Sequence, residues 1–265
     1  DTDNSSITFS VSGSELSIGS STGVLAFNSA PDYETKTTYT ATVTASDGTN
    51  TINQNITVNV TNINDNAPIF TSSGSFSVNE NQTNIGSVAV NDADGDTLSY
   101  SLSGTDASSM SINSSSGALT FNSAPDYETK TSYSATVTAS DGTNSTSQNI
   151  TITIANVNDN TPSITSGATF SADENQTAIG TATATDADGD TISYSLSGTD
   201  ASSMSINSSS GVLTFNSAPD YETKTSYTAR VTASDGTNSA TQDITVNVTN
   251  LNDNTPSITS SATFS

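Results

Sequence analysis

The sequence predicts an all-β fold, a linear array of two-sheet β-sandwiches with about seven strands each. The first observation behind this prediction is a repeat of 94 residues. The triplet Asn-Asp-Asn starts at 64, 158 and 252, and APDYET starts at 30, 124 and 218. The second is the alternation of apolar and polar residues within each repeat. The third is the turn-forming segments that separate the alternating stretches, namely DGD, SSSG, NSAPD and SDGT.

Alignment of the copies predicts the domain boundaries. We expect a first repeat over 1–66 that lacks its opening strands, complete repeats over 67–160 and 161–254, and the start of a fourth over 255–265. Because Asp1 aligns with Asp92 in the middle of a repeat, we expect the chain to be an excerpt from a longer array.

The second repeat shows the strand pattern in order. Three stretches alternate over their whole length, and pairs of apolar residues mark four shorter strands. These segments are Phe76 with Val78, Val88 with Val90, Leu98–Leu102, Met110 with Ile112, Leu119 with Phe121, Tyr133–Ala139 and Ile150–Ile154. No segment has a helical period. Seven such strands in about 94 residues match an immunoglobulin-like sandwich, and the regular turns argue against low-complexity disorder.

Composition narrows the function classes. The 265 residues include no cysteine, histidine or tryptophan, and 27 acidic residues outweigh four basic ones, for a net charge of −23. The few basic residues (Lys36, Lys130, Lys224 and Arg230) do not form the clusters that nucleic acid binding needs. Disulfides are impossible, and no run of about 18 apolar residues could span a membrane. The acidity is compatible with plain solubility, with disorder or with cation binding.

The positions of the acids favour cation binding. In the second repeat they lie mostly between the predicted strands, at Glu80, Asp92, Asp94, Asp96, Asp126, Glu128, Asp141 and Asp159. Acids from the end of one sandwich would meet acids from the start of the next, and their repulsion calls for a neutralising ion. Calcium suits an all-oxygen ligand set better than magnesium does, and zinc is disfavoured without His or Cys.

Taken together, the ordered motifs ENQ, DADGD, GALTF, DYE, ATVTASDG and NVNDNTP resemble the cadherin repeat over nearly the whole chain. The resemblance implies cadherin-type sandwiches whose joints bind up to three calcium ions each and are stiffened by them.

The resemblance also implies the ligands of each joint. The joint between repeats one and two would use Asp32, Glu34, Asn62, Ile63, Asn64, Asp65, Asn66, Asp92, Asp94 and Asp141. The joint between repeats two and three would use Glu80, Asp126, Glu128, Asn156, Val157, Asn158, Asp159, Asn160, Asp186, Asp188 and Asp235. A third joint would use Glu174, Asp220, Glu222, Asn250, Asn252, Asp253 and Asn254, and Asp1, Asp3 and Asp47 would complete a joint with a preceding repeat.

Three departures from the family pattern stand out. The first linker position, usually Asp in the family, is Asn62, Asn156 or Asn250, and an amide offers only a neutral carbonyl. The D-x-E motif carries Tyr where animal cadherins commonly have Arg. The tryptophan that many animal cadherins exchange between partners is absent, so that mode of adhesion is not supported.

Other interpretations of these residues are weaker. DADGD resembles part of an EF-hand loop but lacks the Glu at its twelfth position. The serines have no histidine base, and Asp126 with Glu128 has no evident sugar pocket, so we predict no enzyme. Sequons such as Asn55-Ile-Thr, Asn81-Gln-Thr and Asn149-Ile-Thr are expected by chance in so Asn- and Thr-rich a chain.

We therefore predict a calcium-rigidified extracellular rod of tandem repeats that acts as a stalk, an adhesin spacer or a filament-forming unit in cell-surface adhesion. The alternative is an array of polysaccharide-binding modules. Possible partners besides calcium are copies of the chain itself, in a fibre or lateral assembly, or a surface polysaccharide. Near-identical repeats without disulfides suggest a prokaryotic surface protein.

Overall fold

The computed structural model describes residues 6–260, which form strands joined by turns and loops. Asp1 and Asp3, two predicted ligands, lie outside the described residues. The chain divides into two compact units. The first comprises Asp1–Pro125 and Ser132–Ile154, and the second comprises Asp126–Thr131 and Ala155–Ser265. No helix in the described range is long and apolar enough to cross a membrane.

In the first unit, the first repeat contributes two small sheets. Its strands are β1 (Thr8–Val11), β2 (Leu16–Ile18), β3 (Leu25–Phe27), β4 (Thr38–Ser46) and β5 (Thr51–Asn59). One sheet has the order β1-β4-β5 and the other pairs β2 with β3. Leu16 is buried, whereas Ala41, Val43 and Ala45 on β4 are only half-buried.

Most of the second repeat lies in the first unit and forms a fuller sandwich. Its strands are β6 (Ile69–Phe70), β7 (Ser75–Asn79), β8 (Asn84–Ser87), β9 (Val90–Asn91), β10 (Ser99–Ser103), β11 (Met110–Ile112), β12 (Ala118–Phe121), β13 (Ser132–Ser140) and β14 (Ser145–Ala155). The sheets have the orders β10-β13-β14-β7 and β11-β12-β8, and β6 pairs with β9. A 3-10 turn, Ala107–Ser109, precedes β11.

The second unit repeats this architecture. Its strands are β15 (Ser163–Ile164), β16 (Thr169–Asp173), β17 (Ala178–Thr181), β18 (Ala184–Thr185), β19 (Ser193–Ser197), β20 (Met204–Ile206), β21 (Val212–Phe215), β22 (Ser226–Ser234) and β23 (Ser239–Thr249), with a 3-10 turn at Ala201–Ser203. The sheets have the orders β16-β23-β22-β19 and β17-β21-β20, and β15 pairs with β18. β16 runs parallel to β23, and the other pairs are antiparallel.

The structure confirms the predicted all-β fold of tandem sandwiches. It also shows that two strands of each complete repeat are interrupted. In the second repeat, β6 pairs with β9 while β7 joins the sheet of β14, so the first strand changes sheets at the loop between them. Val88, which the sequence places in a strand with Val90, lies between β8 and β9. It is nevertheless buried, because its side chain still faces the core.

Alternating burial forms the core between the two sheets. On β14, Ile150, Ile152 and Ile154 are at most 1% exposed. The rings of Phe121 and Tyr133 meet edge to face with centroids 4.9 Å apart, and both other repeats have the same contact. Since apolar burial and aromatic contacts of this kind stabilise a sandwich, the polar loops at the strand ends are held by a packed core.

Candidate functional site

The linker 62–66 of the first unit is held by the loop that follows β9. Oδ2 of Asp94 accepts hydrogen bonds from the backbone N–H groups of Asp65 (3.0 Å) and Asn66 (2.8 Å). Oδ1 of the same carboxylate accepts from the Asn66 side chain at 2.9 Å. Pro68, just beyond the linker, is fully buried. One aspartate of the second repeat therefore fixes the linker that enters it.

Three carboxylates converge on this linker. Oxygens of Glu34, Asp65 and Asp94 lie within 4.8 Å of one another. Glu34 is presented by a turn in which Oδ1 of Asp32 accepts the N–H groups of Glu34 (3.0 Å) and Thr35 (3.2 Å). Acids from the first repeat, the linker and the second repeat thus share one place.

The pKa values of this cluster diverge. Desolvation raises the pKa of Glu34 above its ordinary value, and the Asp94 charge raises it further. The side-chain hydrogen bond from Asn66 most strongly lowers the pKa of Asp94, and the linker N–H groups of Asn66 and Asp65 add to this effect. Asp94 keeps its charge because of the hydrogen-bond donors around it. The repulsion between the two carboxylates therefore raises the pKa of Glu34.

Two more aspartates of the second repeat each present an oxygen that has no partner. Oδ1 of Asp141 accepts the N–H groups of Thr143 (2.7 Å) and Asn144 (2.6 Å), and Oδ1 of Asp92 accepts that of Asp96 (3.2 Å). The Oδ2 atoms of Asp92 and Asp141 are buried without any hydrogen bond. Buried carboxylate oxygens are costly unless something compensates them, and a hard cation would do so.

The second unit reproduces this arrangement at the linker 156–160. Oδ2 of Asp188 accepts the N–H groups of Asp159 (3.1 Å) and Asn160 (2.9 Å). Oxygens of Glu128, Asp159 and Asp188 lie within 4.8 Å of one another. The Oδ2 atoms of Asp186 and Asp235 are again buried and without a partner. Equivalent oxygens lack hydrogen bonds in both units, so this is a feature of the repeat and not of one irregular loop.

The linker 250–254 in the second unit collects a third cluster. Glu174 is 1% exposed, and its two oxygens accept the N–H groups of Tyr221 (2.8 Å) and Leu251 (2.6 Å). Oxygens of Glu174, Glu222 and Asp253 lie within 4.8 Å of one another. The Asn250 side chain donates to Glu222 at 3.3 Å.

The remaining predicted ligands occupy different settings. Glu80, in the first unit, is 2% exposed. Asp126 and Asp220 accept bonds within their own turns, as Asp32 does, so part of each carboxylate is used locally. Asp47 has donors on both oxygens, with Asn50 on Oδ2 at 3.2 Å. The Ile63 and Val157 side chains are exposed, and a ligand role for either would fall to its carbonyl.

Asn144 and Asn238 also contribute to the linkers, although the sequence did not lead us to predict them. The Asn144 side chain donates to Oδ1 of Asn64 (3.2 Å) and to the Asn66 carbonyl (3.5 Å). Asn238 makes the equivalent bonds to the linker of the second unit, to Oδ1 of Asn158 (3.4 Å) and to the Asn160 carbonyl (3.3 Å). The signal was present, because the segment SDGTN recurs in all three repeats with this asparagine at its end.

The donor set is entirely oxygen, from carboxylates, amides and backbone carbonyls. Such a set, with unpaired carboxylate oxygens, fits a hard divalent cation, and its number of oxygens suits calcium better than magnesium.

Comparison with known proteins gives matches to cadherin domains. A sequence model of the cadherin domain matches residues 74–157 and 168–249. Human Protocadherin Fat 4 is 36% identical over 132 residues, which is 46% of this chain, and the chain spans 3% of that protein's length. The mouse Protocadherin Fat 4 is 34% identical over 140 residues, and the match again spans 3% of its length.

Solved structures show the same fold. A crystal structure of mouse Cadherin-23 EC22-24 superposes with a TM-score of 0.70 at 27% identity, covering 93% of this chain and 87% of that one. The Protocadherin gammaB7 EC3-6 cis-dimer structure gives a TM-score of 0.70 at 30% identity, covering 94% of this chain and 68% of that one.

Proposed function

The chain belongs to the cadherin domain family, and from this membership we propose that its joints bind calcium ions that stiffen the tandem repeats into an extracellular rod. The observation that carries the proposal is the recurrence of buried carboxylate oxygens without partners beside two linkers, at Asp92 and Asp141 beside 62–66 and at Asp186 and Asp235 beside 156–160. Cadherin domains are structural modules of adhesion proteins, and the chain is not an enzyme.

The residues divide by role. The D-x-E acids of one repeat, the linker and the D-x-D and A-x-D acids of the next would supply the ligands, in the sets that the cadherin resemblance implies. Calcium, when bound, would neutralise these carboxylates and tie three chain segments together. The chain's own residues arrange those oxygens beforehand, because Asp94 and Asp188 already hold their linkers through backbone donors.

We propose that the repeats span 1–66, 67–160 and 161–254 and that 255–265 opens a fourth. Calcium sites in extracellular modules bind at roughly 0.1–1 mM, which suits a location outside the cell. In that setting the array would act as a stalk or spacer in cell-surface adhesion.

Self-association is a second candidate. One solved relative, Protocadherin gammaB7 EC3-6, is described as a cis-dimer. A lateral pair of rods of this chain would be a comparable assembly, and copies of the chain would then be its partner.

Small-angle X-ray scattering in calcium and in chelator tests both candidates. We expect the maximum dimension to be sharply defined in about 1 mM calcium and the ensemble to be broader in chelator. Asp94→Asn with Asp188→Asn should abolish this difference, whereas Asp243→Asn, outside the linkers, should keep it. Equal profiles in calcium and chelator for the unmodified chain contradict the rod proposal, and a forward intensity that gives the monomer mass contradicts self-association.

A further inference from the structure

The first residue of each complete linker makes a contact that the family's usual aspartate could not make. The Asn62 side chain donates its amide hydrogen to the backbone carbonyl of Asp94 at 2.8 Å. Asn156 donates to the carbonyl of Asp188, also at 2.8 Å. A carboxylate only accepts hydrogen bonds. The substitution therefore replaces a charged ligand with a neutral donor.

Further amides extend this contact along the linker. Asn64 donates to the Asp141 carbonyl (3.4 Å), and Asn144 returns a bond to Oδ1 of Asn64 (3.2 Å). In the second unit Asn158 and Asn238 form the same pair of contacts. Each linker is thus joined to the following repeat by amides on both sides.

The same amide contacts recur in both complete repeats. Asn144 reaches the linker 62–66 and Asn238 reaches the linker 156–160. Oδ2 of Asp141 and Oδ2 of Asp235, in the same two loops, have no hydrogen-bond partner. The linker contact and the unpartnered aspartate oxygen therefore occur together.

We propose that these asparagines are positioning residues that dock each linker on the repeat that follows it without a metal ion. The donors are neutral and their acceptors are backbone carbonyls or amide oxygens, so none of these bonds needs a cation. The proposal rests on the proposed calcium function for its second consequence: docking is complete before calcium arrives, and the ion then adds only the preceding repeat. The amide at position 62 or 156 lowers calcium affinity, because it withholds one carboxylate from the site.

Hydrogen exchange of the full chain in chelator tests the metal-free docking. The reporters are the N–H groups of Asp65 and Asn66, which donate to Asp94. We expect them to be protected without calcium, and Asn62→Ala to reduce that protection about three- to tenfold, the effect of one lost hydrogen bond. Asn62→Asp should reduce it similarly. The control is Asn149→Asp, which adds the same charge on β14, where the third repeat naturally has Asp243.

A calcium titration of the same variants tests the affinity consequence. Asn62→Asp should bind calcium roughly tenfold more tightly than the unmodified chain, while Asn62→Ala and Asn149→Asp should not gain affinity. Unprotected reporters in chelator, or equal protection in Asn62→Ala and the unmodified chain, overturn the docking proposal even if calcium binds. An Asn62→Asp variant that binds no more tightly overturns the affinity consequence. Failure of the unmodified chain to bind calcium overturns the proposed function and leaves the exchange result standing.

Discussion

Asp94 shows how much of the joint depends on a single side chain. Its carboxylate accepts two linker N–H groups and the Asn66 amide, while its backbone carbonyl accepts from Asn62. Charge-assisted bonds of this kind keep the group ionised, so the pKa of Asp94 lies below the ordinary value. Glu34 beside it has few such donors, and it bears the repulsion.

We predict that Glu34→Gln has opposite effects with and without calcium. In chelator the change removes a repelled charge and raises the unfolding temperature, and in calcium it lowers the affinity roughly tenfold, since one ligand charge is lost. Thermal unfolding and a calcium titration measure the two effects. Glu15→Gln is the control, because Glu15 pairs with Lys36 at 2.6 Å and lies outside the linker cluster.

The effect of Glu34→Gln in chelator should depend on pH. Because the folded-state pKa of Glu34 is raised, its charge costs stability above that pKa, and the cost disappears as the pH falls through it towards the ordinary value of 4.5. The advantage of Glu34→Gln in chelator should therefore shrink over that window. Asp94, with a depressed pKa, contributes stability above its ordinary value of 3.8 that is lost as the pH falls through the folded-state pKa. If the stability advantage of Glu34→Gln in chelator is constant from pH 7 to pH 4, the pKa of Glu34 is not raised.

Among the strands, one cross-strand pair differs in both members between the second and third repeats. Thr136 and Asn149 face each other on β13 and β14 and share a 2.9 Å hydrogen bond. In the third repeat the same register holds Arg230 and Asp243, joined by an ion pair of 2.7 Å. Both members changed together, so the contact survived. The pair is exposed and adds little stability, which makes it a surface variation and not a site.

The turn before β21 tolerates only glycine, and we predict a large cost for Gly211→Ala. Its φ is +69°, and a Cβ would lie 2.1 Å from the carbonyl oxygen of Ala182. That carbonyl has little room to retreat, because the Ala182 N–H donates to the Gly211 carbonyl and holds the two segments together. Backbone strain alone costs about 1–3 kcal/mol, and the clash adds to it.

The control for this prediction is Gly236→Ala in the same repeat. Gly236 has φ +99°, and a methyl group added there would meet no atom within 4 Å, so only backbone strain applies. Chemical denaturation of both variants measures the difference. Equal losses of stability would show that the Ala182 contact relaxes at no cost.

The main feature of the whole molecule is its excess of negative charge. A net charge of −23 with four basic residues leaves most acids without a cationic partner. Ion pairs join Lys36 with Glu15, Lys224 with Asp200 and Arg230 with Asp243. Bound cations or salt would therefore reduce the repulsion among these acids.

We predict that sodium chloride partly replaces calcium in stabilising the chain. In chelator, raising the ionic strength from about 0.01 M to 0.15 M shortens the Debye length from roughly 30 Å to 8 Å and should raise the unfolding temperature. Calcium at about 1 mM should raise it further, because it binds specific oxygens. Calorimetry with magnesium chloride as the matched control measures both effects. If sodium chloride at the same low ionic strength does as much as calcium, the sites are not specific.

The sequence by itself determined the all-β class, the 94-residue period and the cluster of acids at each linker. Alternation and turn residues are local signals, so they predict strands such as β13 and β14 directly. The sequence did not predict the interrupted first strand or the position of Val88 between β8 and β9. A change of sheet depends on strand partners that are distant in sequence.

Only the tertiary structure decided which oxygens are occupied. Asp92 and Asp94 belong to one D-x-D motif, yet both oxygens of Asp94 accept hydrogen bonds from the linker while Oδ2 of Asp92 is buried without a hydrogen bond. The difference depends on which of the two carboxylates receives the N–H groups of the linker. The spacing of the motifs predicts which residues are candidate ligands. Which of their oxygens remain without a hydrogen bond depends on the donors that lie near them in the folded chain.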